Sequence, residues 1–156
     1  MRSYLVVMTF EQEEEAQSVY DALQRMRGSS RLGLENAAAV TKDSQGQVAV
    51  TQRRELRLAA VAPGSDLTSS AIALLFGDPP DDILQALVRE GFDERFREQV
   101  AQAMASNCSA LMILLPRGSQ VDRGRLLGIL TLFEGQVFET TLPRAVEPIL
   151  AKGWET

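Results

Sequence analysis

A few residues in this chain have types and spacings that could do chemistry. Arg53, Arg54 and Arg57, in VTQRRELRL, form the densest basic cluster. On a strand, Arg53 and Arg57 share a face with Thr51 and Glu55, while Arg54 points the other way with Leu56, because side chains alternate. Such a cluster could hold an anion or an acidic partner. It has no interleaved aromatics on which bases could stack, and charge that protects a sheet edge explains it with less assumption. Asp78, Asp81 and Asp82 could offer oxygens to a hard cation. Their loop lacks the glycine and closing glutamate of a calcium loop, and capping of a helix by Asp81 is explanation enough. Cys108 stands just before an apolar run with no base to activate it, so it reads as a structural thiol. Ser29-Ser30 and Ser69-Ser70 also lack a base.

The absences narrow the chemistry further. The chain has no histidine. That removes Ser-His-Asp and Cys-His catalysis, histidine-ligated zinc or haem, and the usual proton shuttle near neutral pH. A single cysteine allows no intrachain disulfide and no cysteine-only zinc or iron–sulfur site within one chain. No Walker loop and no G-x-G-x-x-G occurs. The sequence therefore names no catalytic residue, cofactor or metal. A net charge of -5 argues against global attraction to nucleic acid or anionic lipid.

Apolar strands and amphipathic helices must position these residues. Tyr4–Phe10, YLVVMTF, is apolar on both faces, as a central strand is. A helix is predicted over 11–27, with Thr9 and Gln12 at capping-box spacing, glutamates in its first turn and a stripe of Ala16, Val19, Tyr20, Leu23 and Met26. LENAAAVTK and QVAVTQRRELRL read as two strands joined at Asp43-Ser44-Gln45-Gly46. Helices are predicted over Leu67–Phe76, over Asp81–Glu90 and over 93–105, the last capped by Asp93. Ser109–Pro116 reads as a second apolar strand, followed by a helix over 120–133, the strand QVFETTL and a broken helix from Pro143.

The chain has 156 residues, 45% of them hydrophobic and 24% charged, which fits one soluble domain with its own core. The apolar run near the N-terminus is too short for a signal peptide and lacks a small-residue cleavage site, so a cytoplasmic location is the default. Tyr4–Lys42 and Ser109–Leu142 share one plan of strand, helix, glycine and strand. Two such units predict an α+β fold: a ferredoxin-like split β-α-β sheet of four to five strands, with residues 59–91 as a helical insertion. In an alternative arrangement, the second hairpin strand and the Asp93 helix complete the core.

With these elements in order, the chain resembles the bacterial, stress-protein-like family known as domain of unknown function 1269. LVVMTFEQEEEAQSVYDALQRM, LGLENAAAVTKDSQGQVAVTQ, GFDERFREQVAQAMASNCSALMILL and GQVFETTL carry the resemblance. It implies no catalytic residue. The family's Gly/Ala-rich apolar hairpin is replaced here by LAAVAPGSDLTSSAIALLFGDPPDDILQALVREG. The apolar run is about half of the ~20 residues a membrane span needs, and aspartates bracket it. Leu67, Ile72, Leu75 and Phe76 are then either core or an interface. The expected function is a self-associating, non-enzymatic interaction or regulatory module, in a homodimer. The alternative is a small-molecule or anion binder, or an enzyme, with a pocket between sheet and insertion.

Overall fold

The computed structural model describes residues 3–26, 37–52, 55–58, 67–77, 79–104, 107–115, 123–146 and 148–149. The order is β1 (Ser3–Phe10), α1 (Glu15–Met26), β2 (Ala37–Lys42), β3 (Val48–Gln52), β4 (Glu55–Leu58), α2 (Leu67–Phe76), α3 (Asp81–Arg89), α4 (Glu94–Ala103), β5 (Cys108–Leu115), α5 (Arg123–Leu130) and β6 (Gln136–Leu142). The fold is α+β. One antiparallel sheet runs β4-β3-β2-β5-β1-β6.

The apolar runs at β1 and β5 become neighbouring central strands, buried along their whole length. Alternation then divides the core in two. Tyr4, Val6, Met8 and Phe10 of β1, with Leu111 and Ile113 of β5, pack under Val19, Tyr20 and Leu23 of α1 and Leu126 and Leu130 of α5. Leu5, Val7, Val40, Met112 and Leu114 face the other way, under α2, α3 and α4, which contribute Ile72, Leu75, Leu87, Phe96 and Val100. Each sheet face thus carries its own helical layer. This explains why the central strands read as continuous apolar runs.

Three local expectations are corrected. QVAVTQRRELRL is not one strand. It forms two strands, β3 and β4, which pair antiparallel with Gln52 opposite Glu55, so β4 adds a strand at the edge. The helix predicted from residue 11 begins at Glu15, because Thr9 is still in β1 and cannot serve as its cap. Asp81 does not cap α3. Pro80 occupies the cap position without a side-chain bond, and Asp81 and Asp82 fill the first turn, where their charge suits the helix dipole. Asp93 does cap α4, accepting the Phe96 N–H at 3.2 Å.

Two glycines are set by geometry. Gly46 closes the β2–β3 turn at φ +81, and the Asp43 carboxylate there accepts the N–H groups of Gln45 and Gln47. Gly135 lies so close to β1 that a Cβ would sit 2.7 Å from the Thr9 carbonyl oxygen. No helix among the described residues is long and apolar enough to cross a membrane.

Candidate functional site

The residues flagged by the sequence do not converge. Arg53, Arg54 and Asp78 lie outside the described residues. Arg57 stands in β4 opposite Val50. Leu67 opens α2. Ile72 and Leu75 are core, and Phe76 is half-buried against the same cluster. Asp81 and Asp82 are exposed on α3. Among the described residues, no three His, Cys, Asp or Glu side chains gather as a metal set.

Cys108 sits at the start of β5, where Asn107 takes the left-handed conformation that asparagine tolerates. Its thiol is 4% exposed and packs 3.6 Å from the Met104 sulfur. Burial pushes the thiol pKa up, Lys42 pulls it back, and Glu13 adds to the rise. Thiolate is therefore disfavoured and attack by Cys108 is suppressed. Lys42 is itself committed, since its ammonium donates to the Met104 carbonyl at 3.0 Å, at the C-terminal end of α4. A cation there suits the helix dipole.

A second cluster, which the sequence did not suggest, lies where α5 meets the β6 edge. Arg123 opens α5 and stacks over the Tyr4 ring at 4.4 Å. It also pairs with Glu139 of β6 at 3.8 Å, both side chains being about half exposed. Such a pair is worth at most about 1 kcal/mol. The Tyr4 hydroxyl beneath is buried, and no hydrogen bond of ordinary geometry reaches it. Burial first, and then Glu139, push its pKa well above the usual phenol value, with Arg123 acting against them. Only the pairing register, which puts Glu139 opposite Val6 and so on Tyr4's face, could have signalled this cluster.

The third feature is an open groove of about 430 Å³ on the outer side of the insertion. It is lined by Asp81, Leu84, Gln85, Val88 and Arg89 of α3 and by Glu94 of α4. No serine, threonine, cysteine or lysine is among these lining residues. By contrast, the volume between the sheet and α2–α4 is filled by Ile72, Leu74, Leu75, Phe96 and Met104. Comparison with protein-family models, curated proteins and solved structures finds no match.

Proposed function

We propose that the chain is a non-enzymatic interaction or regulatory module that self-associates as a homodimer. The single observation that carries this reading is the covering of both sheet faces. Helices α1 and α5 cover one face and α2, α3 and α4 the other, with core side chains in the space where a ligand pocket would lie. What the fold leaves available is its outer surface and its strand edges. The buried thiol with its raised pKa supports the same reading, because the only cysteine is a poor nucleophile.

The same proposal includes a ferredoxin-like core. β1-α1-β2 and β5-α5-β6 are its two halves. Their support is the strand order β6-β1-β5-β2 within the sheet, with α1 and α5 packed on one face. α4 packs on the opposite face, which favours α5 over α4 as the partner of α1. The proposal extends to kinship with the domain of unknown function 1269 family and a stress-related role. LVVMTF and VAVTQ, two of the motifs behind it, fall in β1 and β3. A cytoplasmic location completes it, in keeping with a chain that can form no internal disulfide.

The deciding experiment combines solution mass, capture of native partners, and turnover screens with ester, phosphate and peptide substrates. Self-association without turnover is the expected result. Robust turnover by the pure protein, abolished by one point substitution, would overturn the reading.

A further inference from the structure

The covered sheet faces leave the edges, and the two edges differ. β4 is four residues long and pairs with β3. β6 is seven residues long and pairs with β1 in unbroken register from Leu142 opposite Ser3 to Gln136 opposite Thr9. Among the described residues no strand pairs with its outer side, which carries a row of backbone donors and acceptors. Natural edge strands are usually guarded by lysine, proline, a bulge or an inward-pointing charge. QVFETTL has no lysine, no proline and no bulge. Its one charge, Glu139, is balanced by Arg123. Two of the large exposed apolar residues lie at its start: Val137, 38% exposed, and Leu132, 73% exposed, four positions ahead of the strand.

We infer that β6 is the self-association edge, and that its occupant is β6 of a second copy of this chain, paired antiparallel across a twofold axis. The inference rests on the homodimer reading above and gives that reading a surface. It also moves the interface away from α2, whose Ile72 and Leu75 are already consumed by the core.

The strand's own chemistry favours a second copy over a foreign strand. A twofold axis at Glu139 would set two glutamates directly opposite, which is destabilising. An axis at Thr140 pairs that threonine with its counterpart. Glu139 then faces the partner's Thr141, and Phe138 faces the partner's Leu142, all favourable or neutral cross-strand pairs. Phe138 and Leu142 already lie against the α2–α4 side of the core, so the partner would extend that layer. The contact is isologous and closes on itself, so it gives a dimer and not a fibre.

Charge substitution at Thr141 tests this, because it alters the group facing Glu139 of the second copy. Solution mass is expected at twice 17.1 kDa for the unaltered protein. Thr141→Glu is expected to weaken dimerisation about ten-fold or more, and Thr141→Lys to tighten it, since opposed carboxylates repel and a lysine–glutamate pair attracts. A general loss of stability would not give opposite signs. Hydrogen exchange on the unaltered protein supplies a readout free of substitutions: outward amides of β6 are expected to slow as concentration rises through the dimer transition. A monomer at all concentrations overturns both self-association and this edge. A dimer whose β6 amides do not slow, or that responds alike to both Thr141 substitutions, overturns the edge and leaves self-association standing.

Discussion

The Ser109 hydroxyl accepts the Ala16 backbone N–H at 3.0 Å, across 93 residues of chain. The same hydroxyl donates to the Gln12 carbonyl at 2.6 Å. A buried serine of β5 therefore does for α1 what a local capping residue does elsewhere, and locks the helix start to the sheet. Ser109→Ala leaves the buried Ala16 N–H unpaired, while the Gln12 carbonyl keeps the Glu15 N–H at 3.4 Å. The expected loss is about 1–3 kcal/mol, the cost of an orphaned buried polar group. Chemical denaturation measures it, and an unchanged midpoint would show that the bond contributes nothing.

Two glycines are expected to respond in opposite directions. At Gly135 a Cβ would meet the Thr9 carbonyl oxygen at 2.7 Å and the Phe10 ring at 2.9 Å. The carbonyl is strand backbone and cannot give way cheaply, so Gly135→Ala should lower the melting temperature. Gly128 lies inside α5 with open space around it. There Gly128→Ala should stabilise by about 0.5–1 kcal/mol, the ordinary helix preference for alanine. Melting curves of both variants decide this, and a shift of the same sign in both would contradict the packing argument.

The buried strands and most helices were legible because their apolar periodicity is strong. Leu5, Val7, Val40, Leu111 and Ile113 all lie in the sheet core as their pattern predicts. The division into β3 and β4 was not legible, since no glycine, asparagine or proline interrupts VAVTQRRELRL in the sequence. The start of α1 was misplaced for a different reason. Its capping partner is Ser109, a tertiary contact that no local window contains. The Tyr4–Arg123–Glu139 cluster depends on the β1–β6 register and was equally out of reach. Of the residues flagged in advance as interface candidates, Ile72 and Leu75 pack against the sheet, because its second face needs covering.

That placement changes what a charge at Ile72 should do. Its side chain is 3% exposed in a cluster with Leu74, Phe96 and Met104. Ile72→Asp would bury a carboxylate without a partner, a change costly enough to threaten a domain of ordinary stability. The expected result is loss of cooperative unfolding or failure to fold, and not a folded monomer. A well-folded monomeric Ile72→Asp protein, seen by circular dichroism and light scattering, would return α2 to the role of interface.

Cys108 and Tyr4 together set an alkaline limit. Burial is the leading cause of the rise in both pKa values, from an ordinary 9.0 for the thiol and 10.0 for the phenol. A raised pKa means that the fold favours the neutral form, so each group's contribution is fully present below its ordinary value. It is then lost as pH rises from that value through the raised one. Stability should therefore hold near neutral pH and begin to fall above 9.0, with a second decline beginning near 10.0. Cys108→Ala should remove the first decline and Tyr4→Phe the second. The two substitutions should differ at neutral pH. Losing the thiol forfeits its packing against Met104, whereas losing the unpartnered Tyr4 hydroxyl should be neutral or slightly stabilising. Thiol alkylation gives an independent check. The native protein should react at least roughly ten-fold more slowly than the urea-unfolded chain, through both a smaller thiolate fraction and burial. Denaturation midpoints across the alkaline range, with and without each substitution, measure the effect. A stability curve that stays flat above 10.0, or a native thiol as reactive as the unfolded one, would show that neither group is held neutral by the fold.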